Sequence, residues 1–550
     1  MRRASLPPAR TAAALLRRAS PLSPPLRLPR RRPRPPPPPP PSPLDLRHPH
    51  DAYPVARALR RTIHAHLGPT NSGKTHAALA ALSSARTGVY LGPLRLLAHE
   101  VAARLGVPCD VRTGHGVTRA DGARHAACTV EMACLATRVD VAVLDEVQLL
   151  AHPERGWAWT RALLGLPAAQ LHVCGSDDAL PLLRTLAAAC GDALLLHPHA
   201  RLAPLRVRRA SLRSDLSRVR PGDCVVAFSR RELFALRRQI EARASLRCSL
   251  LYGALPPAAR EAQARRFHAA RARVLVASDA VGMGLNLAIG RVVFASLHRF
   301  DGAARVPLDA AAVRQIGGRA GRYASRYASG EVACLHAADV PLLRAAMGEA
   351  PPPLRAAGLA PSFEQLAALA AACARGTPFS RLLAAFADGA RLDPLYFCCG
   401  LEAPQLLAEL VDDVRGLSLW QRHILSQTPL DARDPLHAEA FVQWAGALAA
   451  GSTARIGGRP LLRPPVREEE LHALESYYKV LDAYVWLSVR FAHAFTEEIA
   501  EEARREQRKC SKLISLGLDS LGARPARPVR KLLHARPHGT MKRRRRSSCS

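Results

Sequence analysis

The chain alternates between short apolar runs and longer Ala- and Leu-rich stretches of helical periodicity. From residue 62 onward the short runs predict buried strands, and the stretches between them predict helices covering a parallel sheet. The runs fall into two series, separated by the polar segment 208–223. We therefore expect two α/β lobes in tandem. The predicted strands are 63–67, 89–92, 139–144 and 171–174 in the first lobe, and 224–229, 246–252, 274–277 and 292–295 in the second.

Beyond about residue 345 the strand signals fade and helical patterns take over, ending in a long amphipathic stretch from Glu468 to about Lys512. The predicted fold class is α/β, with two parallel-sheet lobes, an α-helical C-terminal domain and disordered basic termini. The predicted boundaries are 1–50 for a leader with a proline-rich linker, 55–207 and 208–345 for the lobes, 346–512 for the helical domain and 513–550 for a basic tail.

Positive charge is concentrated at the two ends. The formal net charge is +34, with ten Arg and no acid in residues 1–44 and fifteen Lys or Arg against four acids in residues 501–550. The Arg-rich start predicts an organelle transit peptide and favours a mitochondrion over a plastid, with a disordered basic arm as the alternative. The tail, with KRRRR at 542–546, would add salt-sensitive affinity for nucleic acid, and a solvated or nuclear-import role is equally open.

Composition also excludes two classes of protein. No apolar run reaches the roughly 18 residues needed to cross a bilayer, so we expect no membrane insertion. The thirteen Cys are scattered without a C-x-x-C pair, which indicates neither a disulfide framework nor a zinc site.

A glycine-rich segment, GPTNSGKT, follows the first predicted strand directly. It fits G-x-x-x-x-G-K-[ST] in the required setting between a strand and a helix. The glycines let the backbone wrap around the phosphates of ATP, and the amides that open the next helix point at the anion. Lys74 would neutralise the β- and γ-phosphates, and Thr75 would ligate Mg²⁺. The nucleotide-binding candidates here are Gly68, Pro69, Thr70, Asn71, Ser72, Gly73, Lys74 and Thr75.

Two acids follow a buried strand and predict the metal and water site. The apolar run VDVAVL at 139–144 leads into Asp145 and Glu146. Because parallel strands end at the ligand-binding edge of a sheet, both acids would lie beside the phosphate loop. We expect Asp145 to hold Mg²⁺, or Mn²⁺ in its place, partly through water, and Glu146 to be the general base.

The second lobe carries QIGGRAGR at 315–322. Arg319 and Arg322 lie three residues apart on a predicted helix, so both can point into one cleft. Their charged, fork-shaped side chains suit the γ-phosphate of an ATP held on the opposite lobe. We assign them as arginine fingers, and we count Gln315, which opens the segment, among the catalytic candidates.

The segment SDAVGMGLN at 278–286 precedes the arginines. Gly282 and Gly284 would permit close approach to a sugar-phosphate chain, and Asp279 and Asn286 would link that chain to the nucleotide. Asp279 and Gly282 therefore join the nucleotide-binding candidates. The order of these motifs across two lobes is typical of superfamily-two helicases, in which ATP closes the lobes and hydrolysis reopens them.

Several stretches resemble the Suv-three family of mitochondrial RNA helicases. The resemblance extends from about residue 62 to residue 495, and RGWAWTRALLGL at 155–166 is its most specific part. It implies two RecA-like lobes and ATP-dependent unwinding of RNA with 3′-to-5′ polarity, acting on single-stranded 3′ tails and duplexes. The other matching stretches are GPLRLLAHEVA (92–102), CTVEMA (128–133), VAVLDEVQ (141–148), RPGDCVVAFS (220–229), YGALPP (252–257), LRAAGLAPS (354–362) and VLDAYVWLSVRF (480–491).

The resemblance further implies work with the exoribonuclease of a mitochondrial degradosome, in the matrix or nucleoid, with a nuclear pool left open. It also implies that residues 93–95, Thr113, Gly114 and 129–131 face the RNA backbone, under a helical C-terminal domain. The chain departs from the family at CGSDD (174–178), where relatives tend to read CGE, and at Gly317, which replaces an Ala. We assign no lobe-coupling motif at the first departure.

Two alternatives remain beside an RNA helicase. DNA or RNA–DNA hybrids are also open as substrates, since lobes that track a backbone do not by themselves select the 2′-hydroxyl. A basic scaffold with an inactive ATPase is the other, and the intact Lys74, Asp145 and Arg319 argue against it. The first Gln of the chain is Gln148, so none lies upstream to read the adenine edge, and we predict that GTP and other nucleotides are hydrolysed beside ATP.

Overall fold

The computed structural model describes residues 42–282, 287–302, 304–323, 325–460 and 462–523. The predicted transit peptide up to residue 41, the tail beyond residue 523, and the candidates Gly284 and Asn286 lie outside the described residues. Strand β1 (Asp45–Leu46) and helix α1 (Pro54–Arg57) precede the first lobe.

The first lobe is built around an eight-stranded sheet. Its strands are β2 (Thr62–Leu67), β3 (Gly88–Gly92), β4 (Cys109–Thr113), β5 (Gly116–Thr118), β6 (His125–Thr129), β7 (Val139–Leu144), β8 (Ala168–Gly175) and β9 (Ala193–Pro198). They follow the order β5-β4-β6-β3-β7-β8-β2-β9 and are parallel except for β5. The covering helices are α2 (Lys74–Ser84), α3 (Arg95–Arg104), α4 (Gly156–Gly165) and α5 (Leu180–Cys190).

Strands β2, β3, β7 and β8 of this sheet were predicted, whereas β4, β5, β6 and β9 were not. The last four side chains of β7 are buried, as expected of a parallel strand covered on both faces. β4 and β6 contain Ala, Cys, Asp and Arg, which favour strands weakly, and the Leu-rich β9 fits a helix as well as a strand. Pairing with neighbouring strands selects their extended form.

The second lobe has a six-stranded parallel sheet in the order β10-β17-β14-β11-β13-β12, beside a small hairpin of β15 and β16. Its strands are β10 (Leu205–Val207), β11 (Asp223–Val226), β12 (Cys248–Leu251), β13 (Val274–Ala277), β14 (Arg291–Phe294), β15 (His298–Phe300), β16 (Arg305–Pro307) and β17 (Gly330–Cys334). Its helices are α6 (Arg230–Arg243), α7 (Pro257–His268), α8 (Ala310–Gly317) and α9 (Val340–Gly348).

The chain crosses between the lobes earlier than predicted. β9 ends the first sheet at Pro198 and β10 enters the second at Leu205, so the crossover is residues 199–204. The polar segment 208–223, predicted as the linker, lies within the second lobe instead. Its few apolar residues anchor it in the core of that lobe, which its polar composition did not reveal. These residues are Leu212, Leu216 and Val219.

The C-terminal region is mainly helical, as predicted, but it shares its cores with both lobes. Its elements are β18 (Ala357–Leu359), α10 (Phe363–Ala372), α11 (Phe379–Gly389), β19 (Arg391–Leu392), β20 (Tyr396–Cys398), α12 (Glu402–Glu409), α13 (Leu419–Ser426), α14 (Pro435–Ala449), α15 (Glu468–Ser488) and α16 (Glu497–Ala523). Buried side chains from Ala357 to Phe386 join the core of the first lobe. Those of α14, α15 and α16 join the core of the second. The region therefore connects the two lobes from outside.

The amphipathic stretch from residue 468 forms two antiparallel helices, α15 and α16. Phe491 and Phe495 are buried between them, where they pack near Trp444 and interrupt the helical path. Helix α16 continues to Ala523, so the predicted boundary at residue 513 falls inside it.

Five histidines lie together on β2, β8 and the end of β9, just ahead of the phosphate loop. His66 is central: its Nε2 lies 2.9 Å from His172 Nδ1 and its Nδ1 lies 3.1 Å from His199 Nε2. His64 Nδ1 is likewise 3.1 Å from His197 Nε2. A hydrogen bond between two imidazoles needs an unprotonated acceptor nitrogen, so at least one ring of each bonded pair must be neutral. Burial and the neighbouring histidines lower the pKa of His66 to about 3 and that of His172 to about 4.

We expect acid to destabilise the first lobe through this cluster. Because these pKa values lie below the ordinary 6.5, the unfolded chain binds more protons, and stability is lost as pH falls from about 6.5 towards 4. Each such group contributes at most about 1.4 kcal/mol per pH unit. The urea midpoint should fall less between pH 7.5 and pH 5.5 in His66→Gln than in the wild type. His99→Gln, at an exposed position on α3, is the control. Equal losses in all three proteins would contradict the prediction.

Candidate active site

The phosphate loop connects β2 to α2, in the predicted setting between a strand and a helix. Gly68 has φ +150°, and a Cβ there would lie 2.1 Å from the carbonyl oxygen of His199, so the position excludes a side chain. Asn71 and Gly73 also have positive φ values, 61° and 83°. This backbone turns the amides at the start of α2 towards the space above the loop, where they can bind phosphate oxygens.

Lys74 is the first residue of α2, and its ammonium group donates to the loop itself. Nζ lies 2.6 Å from the carbonyl oxygen of Gly68 and 2.7 Å from that of Pro69. Burial lowers the pKa of Lys74, while the charge of Glu146 opposes this change. Because its partners here are neutral carbonyls, a phosphate group would be a stronger acceptor for the same ammonium group.

Asp145 and Glu146 follow β7 and lie beside the loop, as predicted. The hydroxyl oxygen of Thr75 is 3.3 Å from Asp145 Oδ1, and the backbone N–H of Glu146 donates to the same oxygen at 3.0 Å. Burial, followed by the charge of Glu146, raises the pKa of Asp145 to about 6. Glu146 adopts a left-handed conformation, with φ 54°, which is unusual for a residue with a Cβ and reorients the chain directly after the strand.

Several residues that support these acids escaped the sequence analysis. Tyr90, buried in β3, donates its hydroxyl to Asp145 Oδ2 at 3.0 Å. Gln148 donates to the carboxylate of Glu146 and accepts from the backbone N–H of Ser176 at 3.4 Å. Ser176 lies in the segment CGSDD (174–178), where the chain departs from the family. The side chain of Gln148 therefore connects this segment to Glu146, the predicted general base. Tyr90 lies 55 residues ahead of Asp145, so nothing in the sequence signals this contact.

The arginines of the second lobe do not lie on a helix, which corrects the prediction. Helix α8 ends at Gly317, and Arg319 and Arg322 lie in the segment that follows, residues 318–322, which we call the arginine turn. Glycines at 317 and 318 disfavour a continuing helix. Arg319 donates through Nε and Nη2 to the carbonyl oxygen of Gly282, with a distance of 3.0 Å for Nε. Burial lowers the pKa of Arg319, and the charges of Glu146 and Asp145 oppose this.

A cleft of about 860 Å³ lies between the two lobes, and most of the predicted site residues line it. Both arginines and Gln315 line it from the second lobe, facing the phosphate loop and both acids of the first. The predicted residues in its lining are Gly68, Pro69, Thr70, Asn71, Ser72, Gly73, Lys74, Thr75, Asp145, Glu146, Gln315, Arg319 and Arg322.

Asp279 is not brought to the cleft. It is exposed on a short 3₁₀ helix after β13 and is absent from the described residues that line the cleft. Gly282, at the end of the same helix, is buried, and its carbonyl oxygen accepts from Arg319, which lines the cleft. Nucleotide contact by Asp279 is therefore not supported by this arrangement.

Two of the residues predicted to face RNA, Arg95 and Gly114, contact helix α15 or the segment that follows it. The guanidinium of Arg95 donates to the carboxylate of Asp482 at 3.2 to 3.3 Å, and His115 lies 3.0 Å from the same carboxylate. Arg490 donates to the carbonyl oxygen of Gly114 at 3.0 Å. A Cβ on Gly114 would lie 3.0 Å from the ring of Trp486, so the close packing there depends on glycine. The C-terminal region thus contacts this face directly.

The family-specific segment 155–166 supports the same face from behind. Arg155 donates to the carboxylate of Glu131 at 2.7 Å and to the carbonyl oxygen of Pro93 at 2.8 Å. Arg161 donates to the backbone oxygen of Glu131 at 2.9 Å. These bonds fix two of the predicted RNA-facing segments relative to each other.

A magnesium ion could be held here only with the help of substrate. In the described part of the chain, no group of three or more His, Cys, Asp or Glu is arranged to hold a metal ion. Mg²⁺ commonly keeps several waters and binds one or two protein groups together with substrate phosphates, and the adjacent Thr75 hydroxyl and Asp145 carboxylate fit that mode. No helix within the described residues is both long and apolar enough to cross a membrane.

Four descriptions of known protein domains match the chain. The DEXQ-box helicase domain of Suv3 matches residues 49–199, and the helicase conserved C-terminal domain matches 208–324. Suv3 C-terminal domain 1 matches residues 407–449, and the ATP-dependent RNA helicase SUV3 C-terminal domain matches 471–520. Among solved structures, the E. coli DExH-box NTPase HrpB aligns with a TM-score of 0.42 at 16% identity, over 80% of this chain and 60% of that chain.

Full-length relatives are more similar. The mitochondrial ATP-dependent RNA helicase SUV3 of Oryza sativa subsp. japonica is 42% identical, over 87% of this chain and 83% of its own length. The mitochondrial DExH-box ATP-dependent RNA helicase DExH16 of Arabidopsis thaliana is 40% identical, over 86% and 84%. The mitochondrial ATP-dependent RNA helicase SUPV3L1 of Homo sapiens is 39% identical, over 87% and 62%. The predicted two-lobed fold and the enzyme class are confirmed, and this chain belongs to the SUV3 family of ATP-dependent RNA helicases.

Proposed function

We propose that this protein couples ATP hydrolysis to 3′-to-5′ movement along RNA and to duplex unwinding in mitochondrial RNA degradation and surveillance. One observation carries the proposal: Lys74, Asp145 and Glu146 of the first lobe line the same cleft as Arg319 and Arg322 of the second. A site divided between two lobes is completed when they close on a nucleotide and is broken when they separate. Hydrolysis can therefore control the distance between two RNA-gripping surfaces.

The residues of the cleft divide the chemistry among them. Lys74 and the loop amides bind the β- and γ-phosphates. Thr75 and Asp145 would hold Mg²⁺ or Mn²⁺, Asp145 partly through water, and the ion would supply positive charge beside the phosphates. Glu146 accepts the proton of the attacking water, and Gln148 orients its carboxylate. Arg319 and Arg322 stabilise the charge that develops on the γ-phosphate.

The contacts of the first lobe with α15 support a path for single-stranded RNA beside the C-terminal region. Arg95 is the clearest phosphate ligand there, since its guanidinium is paired with Asp482 and could exchange that carboxylate for an RNA phosphate. The half-buried Gly114 and the ring of Trp486 lie on the same face. Backbone contacts of this kind grip a strand without reading its sequence.

The test is a strand-displacement assay on RNA duplexes with either a 3′ or a 5′ single-stranded tail. We expect ATP-dependent displacement of the 3′-tailed duplex only, and none with Glu146→Gln. Displacement of the 5′-tailed duplex instead would overturn the polarity. A purified 3′-to-5′ exoribonuclease should digest a duplexed RNA faster when helicase and ATP are added. An unchanged rate of digestion would contradict the proposed role in RNA degradation.

DNA or RNA–DNA hybrids are a second candidate substrate, because the proposed contacts do not involve the 2′-hydroxyl. ATPase activity measured with RNA and with DNA of matched sequence and length distinguishes the two. We expect stimulation by both, and larger stimulation by RNA. Stimulation of the ATPase by DNA alone would show that DNA, and not RNA, is the substrate.

Nucleotide selectivity should be weak. With no Gln ahead of the phosphate loop to read the adenine edge, we expect kcat/KM for GTP to lie within about tenfold of that for ATP, a difference of about 1.4 kcal/mol. Steady-state hydrolysis of ATP, GTP, CTP and UTP with saturating RNA measures this ratio. A strong preference for ATP over GTP would show that other groups recognise adenine.

The leader and the names of the relatives support a mitochondrial location. Residues 1–50 have the composition of a transit peptide, and the relatives compared above are named mitochondrial. We propose the mitochondrial matrix or nucleoid. Residues 1–50 fused to a fluorescent protein should direct it to mitochondria in a plant cell. Fluorescence in plastids instead of mitochondria would contradict the assignment.

A further inference from the structure

Arg201 lies in the crossover between the lobes and contacts the backbone of both nucleotide loops. Nη1 donates to the carbonyl oxygen of Thr70 in the phosphate loop at 2.9 Å, and Nε donates to that of Ala203 at 2.8 Å. Three further bonds reach the arginine turn, so all five N–H groups of the guanidinium are used. Their acceptors are the carbonyl oxygens of Gly318 (2.8 Å), Ala320 and Gly321 (3.0 Å).

Asn71 makes a parallel connection between the same two loops. Its amide nitrogen donates to the carbonyl oxygens of Gly318 at 3.2 Å and Gly321 at 3.0 Å. A Cβ on Gly318 would lie 3.0 Å from the side chain of Thr70 and 2.6 Å from the carbonyl oxygen of Arg314, so only glycine allows the loops to approach this closely. The crossover lies against the phosphate loop as well, since the Leu202 N–H donates to the Asn71 carbonyl at 3.1 Å.

The hydrogen bonds of Arg201 suit a role in orienting the two loops better than a role in binding phosphate. Its acceptors are all carbonyl oxygens, and with every N–H group engaged it has no donor left for a triphosphate. Lysine could not substitute, because an ammonium group has three donors and no planar fork. The acceptors on the arginine turn surround Arg319 in sequence and precede Arg322 directly.

We propose that Arg201 is a positioning residue that holds the arginine turn in register with the phosphate loop, so that Arg319 and Arg322 reach the γ-phosphate in the transition state. The inference rests on the proposed arginine-finger role. Because Arg201 orients groups that act in the transition state, its loss should lower kcat more than it weakens ATP binding. When the lobes separate, Arg201 must lose its hydrogen bonds either to the phosphate loop or to the arginine turn. It therefore lies where the cleft between the lobes opens.

The test compares Arg201→Lys with Arg206→Lys in the full chain. Arg206 is exposed on β10 and outside the cleft lining, so its variant should retain wild-type activity. RNA-stimulated hydrolysis gives kcat and KM, and titration with a fluorescent ATP analogue gives the Kd. For Arg201→Lys we expect kcat to fall about tenfold to a hundredfold, with KM and Kd within about threefold of the wild type.

Two results would overturn the inference: an unchanged kcat, or a raised KM and Kd at unchanged kcat, which would make Arg201 a binding residue. Should Arg201→Lys fail to fold, as judged by its thermal melting, Asn71→Ala tests the same connection. An unchanged kcat in Asn71→Ala would then overturn the proposal. Failure of the proposed function is distinguishable, because in that case the wild type itself would lack hydrolysis that depends on Glu146.

Discussion

Replacing Glu146 by Gln is expected to lower kcat for RNA-stimulated ATP hydrolysis by about 10²- to 10⁴-fold, the usual contribution of a general base. The amide keeps the shape of the side chain and its contact with Gln148, but it cannot accept the proton of the attacking water. Binding of ATP should survive, because Lys74 and the loop amides are unchanged. Hydrolysis and nucleotide titration on the same preparation separate these two effects.

Glu154→Gln is the matched control, since Glu154 is an exposed acid near the same site but is not among the cleft-lining residues. Its kcat should remain that of the wild type. If Glu146→Gln retained kcat within about threefold, another group would have to activate the water. Asp145, whose raised pKa of about 6 reflects burial, would then be the nearest carboxylate to test.

Replacing Arg319 by Lys is expected to lower kcat by about 10³-fold, at the lower end of the effect of an arginine finger. Lysine keeps the charge, but it lacks the fork that can bind the γ-phosphate and the carbonyl of Gly282 together. Since Gly282 lies in the segment 278–286 that is predicted to meet RNA, stimulation by RNA should fall as well. Hydrolysis measured with and without saturating RNA checks both effects.

Arg344→Lys serves as the control for that substitution, because Arg344 is exposed on α9 and lies away from the cleft. Arg322→Lys measured beside it shows whether the two arginines act together. If Arg322→Lys abolished hydrolysis while Arg319→Lys left kcat intact, Arg322 alone would be the finger. Arg319 would then be a link between the Gly282 carbonyl and the cleft.

Local sequence predicted the position of the phosphate loop and of the acid pair in the first lobe. The phosphate loop needs only a strand, a glycine-rich turn and a helix start in succession, and the acid pair needs only the end of a buried strand. Both requirements are met within a dozen residues. The central strands were predictable for the same reason, since β7 and β13 are continuous apolar runs that begin and end as predicted.

Tertiary packing decided what depends on residues far apart in the chain. Tyr90 meets Asp145 across 55 positions, Arg201 meets the arginine turn across more than 115, and Arg95 meets Asp482 across 387. A hydrogen bond leaves no periodic or compositional trace at either partner, so each of these residues resembles an ordinary polar residue in the sequence. Strand β4 has weak strand propensity and is extended because it pairs with neighbouring strands. The segment 208–223 is polar and belongs to the second lobe because its few apolar residues are buried there. In both cases pairing and burial outweigh local preference.

The sequence by itself therefore determined the positions of the phosphate loop and the acid pair and the order of the lobes, because short motifs specify them. Only the tertiary structure decided how the lobes meet, that the arginines lie on a turn instead of a helix, and that the C-terminal region packs on both lobes. The reason is physical: a motif specifies its backbone through adjacent residues, whereas the closure of a cleft depends on shape and burial summed over the whole chain.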